Sequence, residues 1–192
     1  TGSLGAGRTA VAISSGGYHT CVILDNGSVS CWGQGSNGQL GNGGISDKIT
    51  PTLTSSLGAG RTAVAISSGY DFTCAILDNG LVTCWGRGAY GQLGNGSPDD
   101  SDKHTPTLTS SLGTDRTAIA LSTSSSGHHI CAILDNGSVS CWGGGGQGRL
   151  GNGGGQGHII GSSVPILTSS LGTGRTAVAI SSGGYHTCVI LD

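Results

Sequence analysis

The chain repeats itself, and the period of that repeat limits the possible folds more than any other feature. Thr1 to Asp25 read TGSLGAGRTAVAISSGGYHTCVILD, and Thr168 to Asp192 read TSSLGTGRTAVAISSGGYHTCVILD, with two further versions beginning at Arg61 and Arg116. The first cysteine of each copy is Cys21, Cys74, Cys131 or Cys188, at spacings of 53, 57 and 57 residues. A drift of four residues requires a loop of variable length, and one follows each Gly-Asn dipeptide. A period of about 55 residues is long for one coil of a β-solenoid and suits a four-stranded propeller blade of about 40–50 residues. The copies run approximately over 1–53, 54–108 and 109–167, with a partial copy over 168–192, in a single region spanning 1–192.

Composition supports short strands. The stock of large core residues is thin, with one Phe, no Met and 39 Gly in 192 residues. The glycines have no three-residue period, which excludes collagen. The apolar residues fall in short runs such as AVAI and CVIL between glycine-rich turns, a distribution that predicts an all-β chain without long helices. Charged residues make up 9% of the chain and the net charge is −2, so no basic patch is available for phosphates and nucleic acid is not an expected partner. No apolar stretch approaches the roughly 18–20 residues of a membrane span, and none is expected.

Each full copy carries two cysteines ten residues apart, Cys21 with Cys31, Cys74 with Cys84 and Cys131 with Cys141, separated by an Asp-Asn-Gly turn signal. If Asp25, Asn26 and Gly27 form a three-residue loop with Gly27 left-handed, Leu24 faces Ser28, Ile23 faces Val29, Val22 faces Ser30 and Cys21 faces Cys31. The cysteines then occupy a non-hydrogen-bonded pair, where α-carbons approach to about 4.5 Å, inside the range a disulfide bridges. A two-residue Asn-Gly loop would instead set Cys21 opposite Trp32. The alternatives are two buried thiols per blade, or zinc, for which the spacing is wrong and the nearby histidines vary. Disulfides imply an oxidising compartment, hence secretion or display on the cell surface. Cys188 has no mate in the chain; its partner is expected at about position 198, so the chain reads as a fragment of a longer array.

Within one copy, Ala10 to Ser15 suit a buried inner strand. YHTCVIL and SVSCWG suit the two arms of the hairpin. The segment PTLTSSL suits an edge strand opened by Pro51 or Pro106, and Leu40 of the Gln-Leu-Gly motif is expected to pack between neighbouring units. Gly17, His19, Leu24, Gly27, Val29, Trp32, Gly33 and Gly38 to Gly41, followed by proline and a hydrophobic strand, resemble the repeat of the regulator-of-chromosome-condensation (RCC1-like) family of β-propellers. The resemblance covers the whole chain. It implies four-stranded blades in a seven-bladed ring of about 390 residues, of which this chain would supply about three and a half blades. A ring completed by a second chain is the alternative to truncation.

Features that recur in register point to structural roles. His19, His129 and His186 share one position, replaced by Asp71-Phe72 in the second copy, and are expected to stabilise blades by hydrogen bonding. Asp25, Asp78, Asp135 and Asp192 open the turns, with Arg8, Arg61, Arg116 and Arg175 within reach of them. Features that occur once are better binding candidates. Asp99, Asp100 and Asp102 form an oxygen-rich loop that could hold calcium, although their spacing matches no calcium loop and a solvated tip is the simpler reading. The segment Gly153 to Gly161, with His158 and two isoleucines, is a second candidate. Asn26 and Asn136 lie in Asn-Gly-Ser sequons and are glycosylation candidates, as is Asn95 more weakly because Pro98 follows its sequon.

These readings converge on a non-catalytic, extracellular or cell-surface propeller acting as a structural or binding scaffold, with no cofactor expected. A partner protein or surface glycan would meet the variable loops Gly43–Thr50, Ser97–Thr105 and Gly153–Val164. Self-assembly into a surface filament or coat is one version of this idea. A secreted enzyme inhibitor, suggested by a likeness to β-lactamase-inhibiting propellers, would need aromatic anchors on one face, and Tyr90 with a few histidines promises little. Guanine-nucleotide exchange, which the family name suggests, fits poorly with the cystine hairpins and the lack of basic tails.

Overall fold

The computed structural model describes residues 4–97, 101–153 and 161–192. Four antiparallel sheets follow one another along the chain. The first consists of β1 (Ala10–Ser15), β2 (His19–Leu24), β3 (Val29–Gly33) and β4 (Lys48–Leu53). The second holds β5 (Ala63–Ser68), β6 (Phe72–Leu77), β7 (Val82–Gly86) and β8 (Lys103–Leu108). The third holds β9 (Ala118–Thr123), β10 (His129–Leu134), β11 (Val139–Gly143) and β12 (Ser162–Leu167), and a two-stranded sheet of β13 (Ala177–Ser182) and β14 (Thr187–Leu191) completes the series. Strands within each sheet are ordered as in the sequence, so every sheet is a meander, as a propeller blade requires. Among the described residues no helix is long and apolar enough to cross a membrane.

The hairpin register matches the one the turn sequence predicts. Cys21 pairs with Cys31, Val22 with Ser30 and Ile23 with Val29, and the same offsets recur in the second and third blades. The Leu24 amide donates to the Ser28 carbonyl and the Gly27 amide to the Leu24 carbonyl, each at 2.8 Å, which closes a three-residue loop with Gly27 at φ 75°. Disulfides join Cys21–Cys31, Cys74–Cys84 and Cys131–Cys141 across α-carbons 4.1 Å apart. Cys188, on β14, is a free and exposed thiol.

The fourth strand differs from expectation. It begins at Lys48, Lys103 and Ser162, so Pro51, Pro106 and Pro165 lie inside it and the variable loops end several residues earlier than the sequence suggests. The register explains why proline is tolerated there. Cys31 pairs with Thr52 and Gly33 with Lys48, so Trp32 of β3 alone stands opposite Ile49, Thr50 and Pro51 of β4, and Pro51 sits in the resulting bulge on the outer edge. A residue without an N–H omits no ladder bond at such a place. The inner strand is also less buried than its composition suggests. Val11, Val64, Ile119 and Val178, one position repeated in each copy, are all largely exposed, because the register shifts next to this residue and turns it away from the neighbouring blade.

The core lies between blades. Cys21, Ile23, Cys31 and Leu40 of the first blade are buried against Ala63, Ala75 and Trp85 of the second. Cys74, Ile76 and Leu93 likewise meet Ala118, Ala132 and Trp142 of the third. Each large side chain buried this way contributes about 1.5–3 kcal/mol. Serine hydroxyls stitch the inner strands together, with Ser14, Ser67 and Ser122 accepting the amides of Ser68, Thr123 and Ser182 at 2.9, 3.1 and 2.8 Å.

Strand alternation gives the stack two ends. The β1–β2 and β3–β4 connections of every blade share one end, the loop end. The Asn-Gly turns and the links between blades share the other, the turn end. The turn end repeats itself: Arg8–Asp25, Arg61–Asp78 and Arg116–Asp135 pair at 3.2, 3.4 and 3.3 Å, and Arg175 bonds the Asp192 carbonyl. Each turn also docks on the next blade, as where the Ala63 amide donates to the Gly27 carbonyl at 2.8 Å. A Cβ on Gly27 would stand 2.4 Å from the Thr62 Cβ, so this position demands glycine for contact as well as for conformation.

Candidate functional site

The histidines sort first, because the structure gives them partners. His19 opens β2 and reaches across to the second blade, its Nε2 lying 2.7 Å from Thr73 Oγ1. That hydroxyl donates its proton to the Gln39 carbonyl at 3.2 Å, so it accepts from the imidazole, which carries its proton on Nε2. Trp85 Nε1 donates to the same carbonyl at 2.9 Å. His129 repeats the arrangement with Thr187 at 2.9 Å, and Thr187 donates to the Arg149 carbonyl at 3.0 Å. Burial pushes both imidazoles down to about 4, against a weak opposing pull of Asp71 on His19, so they are neutral near pH 7. These histidines link blades. Between the second and third blades the same slots hold Phe72 and Ile130, both fully buried in one apolar cluster.

The candidate site is what does not repeat, and it gathers at the loop end. Asp71 stands where the other copies have Tyr18, His128 and Tyr185. Its carboxylate is 1% exposed, with Arg87 Nη1 donating to Oδ2 at 3.0 Å and His128 Nδ1 standing 3.7 Å from Oδ1. Burial alone would raise this carboxyl, but the contacts with His128 and Arg87 outweigh it and hold it below the usual carboxylate range. Around this buried charge runs a row of rings. Tyr18 meets Tyr70 edge-on at 5.4 Å, Tyr70 meets His128 edge-on at 5.6 Å, and His128 lies tilted against Tyr90 at 4.7 Å. The Arg87 guanidinium sits 5.2 Å from the Tyr90 ring centre, and the Tyr70 hydroxyl donates to that of Tyr18 at 3.2 Å. A second arginine–tyrosine stack, Arg149 over Tyr185 at 5.1 Å, lies between the third blade and the last hairpin.

Comparison with known proteins decides the family. The model of the Regulator of chromosome condensation (RCC1) repeat matches residues 26–76, 79–134 and 136–190, and a second model of that repeat matches 10–39 and 63–92. The chain belongs to the RCC1 repeat family. Its RCC1 repeats are 35% identical over 150 residues to the human E3 ubiquitin-protein ligase HERC2, covering 77% of this chain and 3% of that protein. They are 31% identical over 187 residues to the ultraviolet-B receptor UVR8 of Arabidopsis thaliana, covering 96% of this chain and 40% of the receptor. Among solved structures, Prp20p of Saccharomyces cerevisiae superposes with a TM-score of 0.80 at 17% identity, covering 94% of this chain and 43% of that one. The chain thus spans less than half the length of each of these relatives.

Within the RCC1 blades, the sites expected from sequence fall in different places. Asp102 Oδ1 accepts the Gly88 amide at 3.0 Å, just as Asp47 accepts that of Gly35 at 2.9 Å, which makes Asp102 a repeated loop closer. Asp99, Asp100, His158 and both neighbouring isoleucines lie outside the described residues. Among the described residues no group of three or more His, Cys, Asp or Glu could hold a metal ion. Asn26 and Asn136 are exposed at the turn end, each amide oxygen accepting the backbone N–H two residues on, at 3.2 and 3.1 Å. The tyrosine row was missed from sequence, where Tyr90 alone drew notice. Its signal was the break at Asp71-Phe72, which also shifts Tyr70 one residue out of register with Tyr18 and Tyr185.

Proposed function

We propose that this RCC1-repeat chain is a non-catalytic scaffold, working outside the cell or on its surface, that recognises a partner protein through its loop end. The observation that carries the reading is the one-off cluster of Tyr18, Tyr70, Tyr90, His128 and Arg87 on an otherwise repeated framework. Half-exposed tyrosines and arginines held by neighbours are the residue types that dominate binding energy at protein interfaces. The variable β3–β4 connections open at the same end, and a glycan on Asn26 or Asn136 would sit at the opposite end, clear of the cluster. Three buried cystines support the oxidising compartment.

The same cluster favours a second reading, inhibition of a secreted enzyme, since it supplies the aromatic anchors that such a role requires. Assembly into a filament by strand pairing is disfavoured by the proline bulges on β4, β8 and β12.

Two measurements test the reading. Non-reducing peptide mapping of native material is expected to find three cystines, each within one hairpin; free thiols at all six positions overturn the extracellular part. Binding to a panel of purified surface and secreted proteins is expected to depend on Tyr70 and Tyr90. A panel in which every interaction survives both Tyr70→Ala and Tyr90→Ala overturns the assignment of the loop end.

A further inference from the structure

We propose that the tyrosine row docks an extended, proline-rich segment of the partner, an inference that rests on the protein-binding reading above. Three features of the row select this chemistry over other peptides. The first is spacing. Successive ring centres lie 5.4, 5.6 and 4.7 Å apart, so the row as a whole is spanned by about five residues of polyproline helix at about 3.1 Å per residue, which turns one face to it every third residue.

The second is shape. Tyr18 and Tyr70 cross at 76° and Tyr70 and His128 at 75°, so the rings pack edge to face and the row presents a ridged aromatic surface, against which compact, rigid pyrrolidine rings can pack. Tyr18 is 59% exposed and Tyr90 38%, which leaves ring surface free for stacking.

The third is the sign of the hydrogen bonding. The Tyr70 hydroxyl gives its proton to Tyr18, whose own proton is then directed elsewhere. Arg87 places one nitrogen on Asp71 and keeps further N–H groups. The carboxylate in contact with the row, Asp71, is buried beneath it. The row therefore offers donors and aromatic faces, and it suits a ligand rich in carbonyl oxygens and poor in N–H groups. Proline-rich chain is that ligand, because each proline contributes a carbonyl and no donor. Its extended form is largely preformed, so little ordering entropy opposes docking on rings that the fold already holds in place.

The test is titration of the intact, oxidised chain with a synthetic ten-residue oligoproline, a Gly-Ser peptide of equal length and a neutral oligosaccharide, with Tyr chemical shifts as the readout. The oligoproline is expected to saturate and to perturb Tyr18, Tyr70 and Tyr90. Tyr70→Ala and Tyr90→Ala are each expected to weaken it about tenfold, and Tyr90→Phe, which keeps the ring, about threefold. Arg61→Ala at the turn end is expected to change nothing. Hydrogen exchange confirms that each variant is folded, and Tyr18→Ser is the substitute for any that is not. Oligoproline binding no better than Gly-Ser, or undiminished by Tyr70→Ala, overturns the inference, as does an oligosaccharide that binds in its place. If oligoproline fails while a protein partner still depends on Tyr70, only this inference falls. If no partner depends on Tyr70, the preceding reading falls with it.

Discussion

Two of the three blade interfaces are joined by a histidine and a threonine, and the interface between them by a phenylalanine and an isoleucine. His19–Thr73 and His129–Thr187 form chains in which imidazole, hydroxyl and a backbone carbonyl are matched in order. Phe72 and Ile130 fill the same slots with no polar atom at all. Both partners change together. The fold therefore demands complementarity between slots about 55 residues apart, and either a hydrogen-bonded chain through the imidazole Nε2, with Nδ1 left without a partner, or a purely apolar contact meets that demand. A mixed pair would bury a donor without an acceptor. The apolar version also coincides with Asp71, so the blade interface that gave up its histidine is the one over which the candidate site is built.

The largest break in this comparison should come from acid. Both imidazoles are held at about 4 when folded and titrate near 6.5 when unfolded, so the unfolded chain binds protons that the folded one refuses. Their contribution is full above about pH 6.5 and is lost as pH falls towards 4, about 3 kcal/mol for each histidine. Denaturant unfolding across this range should show that slope, and installing the apolar pair at the first interface, His19→Phe with Thr73→Ile, should remove about half of it. Asp71, held low instead, adds its own loss only at pH below the unfolded carboxylate range.

The mixed pairs come next. Phe72→His should destabilise by about 2–4 kcal/mol, and adding Ile130→Thr should recover more than 1 kcal/mol of that, a coupling readable in a double-mutant cycle. Thr73→Val, which strands the His19 donor, should cost about 1–3 kcal/mol. The smallest effect belongs to the repeated ion pairs of the turn end. Arg61→Ala should change stability by less than about 0.5 kcal/mol, since both partners are more than a third exposed and water screens them. A larger loss would show that the repeated Arg–Asp pairs matter to the fold and are more than a surface decoration.

Much of a blade was legible because it is local. The loop Asp25-Asn26-Gly27 fixes the register of its own hairpin, and the cysteines follow from it. Leu40 was legible as an inter-blade residue because its motif recurs. The partner of His19 was not, because Thr73 lies in the next copy and nothing near His19 names it. The serine ladder was hidden for the same reason, with Ser14 and Ser67 reading as ordinary strand ends. The start of β4 was misplaced because Pro51 looked like a beginning, whereas the bulge that accommodates it needs strand on both sides. The tyrosine row joins side chains from the first, second and third blades, so only the assembled stack puts them side by side.

The cystines have a further consequence in the kinetics of oxidation. Six paired cysteines allow 15 complete pairings, and copies this similar offer little side-chain information to tell one blade's cysteine from another's. Chain statistics distinguish them instead. The correct partner is 10 residues away, and the nearest first-to-second-blade alternative, Cys31 with Cys74, is 43. Encounter frequency falls as about the three-halves power of loop length, so the correct bridge forms on the order of tenfold faster before any blade has packed. Each hairpin can thus be sealed within its own copy first, and near-identical repeats can follow one another along a chain without their thiols exchanging partners.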